Sequence, residues 1–127
     1  MVDINNLNLP NGYYWLLEND LIGFDTFSRL QPWHYLGKEK IFWIHEKWQN
    51  NLPYKLLAFA KRQDNDEIAC FIFDDESGSV KVAIIQGWTS NGFALLITFE
   101  DFWSWLKHVI DDIKSWVSLD CPVQTSN

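Results

Sequence analysis

One stretch of this chain leaves little freedom in how it folds. From Lys55 to Gln86 it reads LLAFAKR, QDND, EIACFIF, DDESGS and VKVAIIQ. Hydrophobic runs of strand length alternate with short acidic segments. In Glu67–Phe73, Ile68, Cys70 and Ile72 point one way and Ala69, Phe71 and Phe73 the other. Both faces are apolar, which predicts a central strand covered on two sides. Asp74–Ser79 then makes a turn in which Gly78 supplies permissive dihedrals, and Val80–Gln86 returns antiparallel, with Lys81 on its wetter face. Leu56–Ala60 is the preceding neighbour, and Phe93–Ile97 adds a fourth strand after the Trp88–Gly92 loop.

Helices are expected around this meander. Pro10 suits a first helical turn, where a missing N–H costs nothing, and Tyr13, Tyr14 and Leu17 follow at helical spacing toward Gly23. Lys38 to Trp48 places Ile41, Ile44, His45 and Trp48 on one helical face, with a strand through Ile41–Ile44 as the alternative. Phe24 to Gly37 is irregular, with room for one strand. The closing element is the clearest. Thr98 is the expected cap, and Phe99, Phe102, Leu106, Val109, Ile110, Ile113 and Val117 form one stripe to about Val117, with Trp103 at its edge. The fold class is therefore α+β: an antiparallel sheet of about four strands or more, an N-terminal helix and a long C-terminal helix.

At 127 residues the chain suits one domain, 1–127, with polar ends expected to fray over about 1–7 and 119–127. Ten Lys and Arg against 17 Asp and Glu give a formal charge of −7. That sign repels phosphate backbones and anionic lipid and favours a basic partner. It is also a common route to solubility alone. Cys70 reads as a small core residue and Cys121 lies in a polar tail, so the two cysteines imply neither a disulfide framework nor a zinc site. MVDINNLNLP is not a secretory signal and no apolar run is long enough to span a bilayer, so the expected location is the cytoplasm.

No catalytic motif accompanies the sheet. His34, His45 and His108 fall on different elements without ligand spacing, and no Ser or Cys sits in a nucleophile elbow. His108 reads as a solvated residue on the polar face of the last helix. Asp64, Asp66 and Glu67 form one acidic cluster and Asp74, Asp75 and Glu76 another, neither with the spacing of a calcium loop. A seven-residue strand sets the clusters roughly 20–25 Å apart, too far for an acid/base pair. Neither an enzyme, a metal nor a cofactor is expected. The alternative role for the carboxylates is an anionic docking edge for a cationic protein.

Eight tryptophans, with nine Phe and four Tyr, are an aromatic excess that supports a tight core, a sticky face, or both. Trp116 sits on the rim of the last helix's stripe. Trp105 falls about a quarter-turn from its centre and is expected to be partly exposed; Trp88 lies in a glycine-flanked loop and Trp33 follows Pro32. Beside carboxylates such residues are candidate anchors, because interface hot spots favour Trp. The candidate partner-binding set is Asp64, Asp66, Glu67, Asp74, Asp75 and Trp88, with Trp33 and Trp105 behind them.

The segment FAKRQDNDEIACFIFDDESGSVKVAI resembles the central sheet signature of the SUKH superfamily, the fold of cell-wall synthesis regulators and many bacterial immunity proteins. Phe59-Ala60, Asn65-Asp66, Cys70-Phe71 and Asp74 stand at the signature positions; Leu9-Pro10 with Tyr13 is similar to the family's opening helix and Thr98-Phe99 to its closing one. The chain departs from the pattern at Ala58, where the family has Pro, and near Ile22-Gly23, where an Asn-Gly pair is missing. The resemblance implies a non-enzymatic antidote that binds a cognate toxin, often a nuclease, by covering its active site. Basic nucleases fit the acidic balance. The other reading is an aromatic-rich module that stacks a small neutral ligand or binds an intracellular protein.

Overall fold

The computed structural model describes residues 3–24, 30–74 and 80–120. Its described strands are β1 (Trp33–Tyr35), β2 (Phe42–Trp43), β3 (Lys55–Arg62), β4 (Glu67–Phe73), β5 (Lys81–Thr89) and β6 (Gly92–Phe99). The helices are α1 (Asn11–Glu18), a single turn α2 (Ile44–Lys47) and α3 (Phe102–Asp120). All pairings are antiparallel, in the order β1-β3-β4-β5-β6, with β2 also pairing with β3. The domain is α+β, with helices at both ends of the chain around one antiparallel sheet, as the alternation predicts. β4 is buried along Ile68–Ile72. The turn at Gly78, like Cys121, lies outside the described residues.

The core is aromatic. Phe59 stacks flat on Phe71, centroids 3.9 Å apart and planes 10° from parallel. Phe59 occupies the extra position where the β3–β4 register shifts between Ala58 and Ala60, so a bulge turns its ring onto its neighbour. Tyr13 of α1 meets Phe71 edge-on at 5.2 Å, and Trp105 of α3 meets Phe59 at 5.0 Å. Trp33 closes the layer, 5.7 Å from Trp105. Edge-to-face contacts at these distances add about 0.5–1.5 kcal/mol each beyond the area buried. One aromatic slab thus joins both helices to the sheet. Burial pushes the Tyr13 and Tyr35 hydroxyls and the Cys70 thiol well above their ordinary pKa values.

Several sequence expectations are corrected. The helix expected over Lys38–Trp48 is a strand followed by one helical turn, because Phe42 and Trp43 pair with Ala58 and Leu57. The ladder on β3 outcompetes an isolated helix of that length. α1 stops at Glu18, short of Gly23: Asp20 adopts φ +53°, Leu21 N–H donates to Leu16 O and Asp20 N–H to Leu17 O, a Schellman stop. α3 starts after Thr98, which belongs to β6; Asp101 is the cap, its Oδ1 accepting from Ser104 N–H at 2.8 Å. That bond holds the Asp101 carboxyl below its usual range. Ile4, in the stretch expected to fray, is buried, and the Tyr14 hydroxyl lies 2.8 Å from the carbonyls of Ile4 and Leu7.

α3 is also rotated relative to expectation. Phe102, Trp105 and Val109 face inward, whereas Trp103, Ile110 and Val117 are about half exposed. The helix reaches α1 where Gly12 leaves no side chain: a Cβ there would lie 2.7 Å from the Phe102 ring and 2.9 Å from that of Trp103. Phe102 is buried and cannot yield cheaply. Gly12→Ala therefore lowers stability by about 1–2 kcal/mol in denaturant unfolding, overpacking outweighing the helix propensity gain of about 1 kcal/mol.

Candidate functional site

Antiparallel meandering sorts the candidate residues between the two ends of the sheet. The β3–β4 turn, carrying Asp64, Asp66 and Glu67, shares an end with the β5–β6 turn that follows Trp88. Gly87 N–H donates to Asp66 O at 2.9 Å, which sets Trp88 beside the turn. Gly87 leaves room for this approach: a Cβ there would lie 3.0 Å from Trp48 and 3.1 Å from Ile68. Asn65 Oδ1 accepts from Glu67 N–H at 2.9 Å and shapes the turn. Asp74 is exposed at the far end of β4, roughly 20 Å away at strand rise. Asp75 lies outside the described residues. Asp74 therefore shares no docking edge with Asp64, Asp66 and Glu67.

Trp33 and Trp105 leave the candidate set. Each is 1% exposed and part of the aromatic slab. Trp105 faces inward because α3 turns its polar Asp112 toward the sheet as well. Trp33 Nε1–H donates to Asp112 Oδ2 at 2.8 Å, and Arg62 Nη1 lies 3.2 Å from the same oxygen. A stripe counted from apolar residues alone misses a face fixed partly by an ion pair.

Arg62 joins two carboxylates. Its Nε–H and Nη2–H donate to Asp64 Oδ1 and Oδ2 at 2.8 and 2.9 Å, a bidentate fork, while Nη1 reaches Asp112. His108 Nε2 sits 3.3 Å from Asp112 Oδ2, and its ring packs 5.3 Å from Phe99, so it is half-buried rather than solvated. The hydrogen bond from Arg62 holds the Asp64 carboxyl below its ordinary range against some opposition from burial. Burial works against the charge on Arg62, but the Asp64 bond and the nearby Asp112 carboxylate outweigh it and raise its pKa. Asp64 is thereby largely neutralised. Asp66 remains as the exposed carboxylate next to Trp88, with Glu67 half-buried behind it.

Trp88 is the unusual residue of this end. It is 51% exposed and has φ +53°, a left-handed backbone that a bulky non-glycine residue rarely adopts. Trp48 meets its ring edge-on at 5.2 Å, and the ammonium groups of Lys47 and Lys61 each lie 5.4 Å from its centroid. These cation–π contacts hold the indole in place while leaving half of it in water. The sequence shows the indole and its glycines but not the lysines, which come from α2 and β3 and meet only through the register.

A groove of about 630 Å³ runs from Trp88 past Asp66, Gln63 and Lys61 to Phe42 and His34. Its lining mixes both charge signs with aromatic surface. The Gln63 Oε1 atom is buried without a hydrogen-bond partner. Among the described residues no cluster of three or more His, Cys, Asp and Glu has the placement to hold a metal ion. No described helix is long and apolar enough to cross a membrane. The arrangement suits recognition: one rigid aromatic plate, one exposed carboxylate and a concave mixed-polarity wall.

Three outcomes follow from this geometry. Asp112→Ala strips Arg62 and the Trp33 indole of a shared acceptor and costs about 2 kcal/mol in denaturant unfolding, less than a fully buried ion pair because Arg62 and Asp112 both touch water. Because folding lowers the Asp64 pKa, its stabilisation is complete above the unfolded value of about 4 and is lost as pH falls through the lower folded value; in Asp64→Asn the decline of stability with acid is shallower. Trp88→Gly relieves about 1–2 kcal/mol of left-handed strain against the loss of a half-exposed ring. Its melting temperature stays within a few degrees of the parent.

In comparison with known proteins, no family model, curated protein or solved structure matches this chain.

Proposed function

We propose that this chain is a non-enzymatic immunity protein of the cytoplasm that binds and neutralises a cognate basic toxin. The observation that carries the reading is Trp88. A half-exposed indole on strained backbone beside an exposed carboxylate is fixed by Trp48 and two lysines yet keeps half its surface in water, and that packing does no more than offset the strain that glycine would relieve. Interface hot spots favour an aromatic anchor within a rim that excludes water, which the groove wall provides. The formal charge of −7 steers a cationic partner toward the surface, with Asp66 lining the groove beside the anchor. The sequence resemblance to SUKH immunity proteins supports the same role, and a nuclease, whose phosphate-binding surface is basic, is the toxin class with the best charge fit.

A second reading has one observation of its own. The groove beside Trp88, at about 630 Å³, is the size of a small-molecule site, which favours a neutral ligand stacked on the indole. Salt separates the two readings: steering by charge weakens steeply with ionic strength, whereas stacking does not.

The test uses the gene neighbourhood. Where a large adjacent reading frame ends in a basic, nuclease-sized domain, that domain is co-expressed with this chain, and growth and binding kinetics are measured. Protection of growth is expected. Asp66→Lys with Glu67→Lys lowers the association rate and flattens its salt dependence, and Trp88→Ala speeds dissociation about tenfold or more. Unchanged kinetics in both variants would overturn this site, and absence of protection would overturn the role.

A further inference from the structure

The groove beside Trp88 differs in charge from the chain that carries it. Lys40 and Lys61 line it, and Lys47 lies against the same indole. Arg62 also lines it but is engaged by Asp64 and Asp112. Among the described residues Lys40, Lys47 and Lys61 form no ion pair. With Asp64 gripped by Arg62, Asp66 is the lining carboxylate left unpaired. Three unpaired ammonium groups thus stand against one unpaired carboxylate, on a chain of formal charge −7. The net charge acts at long range. Exposed charges farther off than about 8 Å are largely screened at physiological ionic strength, so the groove's own groups decide what it holds.

Two further features restrict the ligand. The ammonium groups of Lys47 and Lys61 each lie 5.4 Å from the Trp88 centroid, so they stand within twice that distance of each other. The ring orients them but satisfies none of their three N–H donors, which remain for an acceptor oxygen. Gln63, also in the lining, has a buried Oε1 without a hydrogen-bond donor. Its terminal amide torsion is soft, so the oxygen can turn to meet a donor that enters the groove.

We propose that this groove binds a phosphate monoester on a hydroxyl-bearing scaffold, the chemistry shared by mononucleotides and sugar phosphates. A phosphate monoester carries a charge of about −1.5 to −2 near neutral pH and presents three acceptor oxygens. Lysine meets such a group as a point charge. The scaffold is required by the rest of the lining. Asp66 and Gln63 Oε1 accept hydrogen bonds, so a bare anion leaves the glutamine oxygen unmatched and meets the carboxylate's repulsion. Hydroxyl donors satisfy both acceptors, and Trp88 and Phe42 give a sugar or base an apolar wall. A neutral ligand leaves three ammonium groups unused, and a cationic one is repelled by them. At about 630 Å³ the groove falls within the usual range of small-molecule sites. The site stands whether or not the chain neutralises a toxin.

Titration calorimetry of the full chain alone, without any protein partner, is the test. The probes are adenosine 5′-monophosphate, ribose 5-phosphate, adenosine and inorganic phosphate. At least one of the two phosphate monoesters is expected to bind about tenfold or more tightly than both adenosine and inorganic phosphate; which one does separates a nucleotide from a sugar phosphate. Lys61→Gln and Lys40→Gln each weaken that binding about fivefold or more, and circular dichroism confirms that they stay folded. Lys40 is exposed, so its substitution carries the test even where Lys61→Gln disturbs Trp88. Asp66→Ala narrows the preference for the monoester over inorganic phosphate. Adenosine or inorganic phosphate binding as tightly as the monoesters overturns the proposal. So does the absence of saturable monoester binding at millimolar concentration, or binding that Lys40→Gln leaves unchanged.

Discussion

The flat stack of Phe59 on Phe71 is the contact on which the rest of this structure rests. It exists because β3 carries one extra residue at Phe59 relative to β4, which re-aims the ring. Once stacked, the pair presents edges and faces that Tyr13 and Trp105 meet from the two helices. Three elements distant in sequence are thereby tied to one point. The close approach at Gly12 and the inward turn of Trp105 follow from that geometry, since α1 and α3 must share the space above the same two rings.

The polar network on Arg62 lies at the rim of this slab and couples it to the candidate site. Asp112 on α3 accepts from the Trp33 indole and pairs with Arg62, whose fork grips Asp64 in the β3–β4 turn. The turn beside Trp88 is therefore braced from the core side, and its outward face keeps Asp66 in water. A rigid platform lowers the ordering cost of any binding at this end of the sheet. The same bracing removes Asp64 from the charge that a partner sees.

Much of the sheet was legible in the chain itself. The two-sided apolar run of Glu67–Phe73 identifies a central strand, and its neighbours follow from the turn residues between them. The existence of α3 and of a core Cys70 was equally plain. The face of α3 was not, because hydrophobic counting assigns Ile110 and Val117 inward and has no means of seeing that Asp112 has partners on β1 and β3. At Phe42–Trp43 the sequence leaves helix and strand open for a related reason: the periodicity suits a helix, and only the edge of β3 makes strand pairing better.

Of the candidate site, the sequence held the residue types and the structure decided their company. Composition and spacing alone established an acidic chain, an antiparallel meander and an excess of tryptophan, because these depend on local pattern and on counting. Which tryptophans are buried, which carboxylates are neutralised and which turns share an end of the sheet are set by contacts between residues far apart in the chain. Trp33 and Trp105 joined the core while Trp88 stayed outside, held on left-handed backbone between two lysines. No local pattern encodes that choice, since it is made by register and packing, which exist only once the chain has folded.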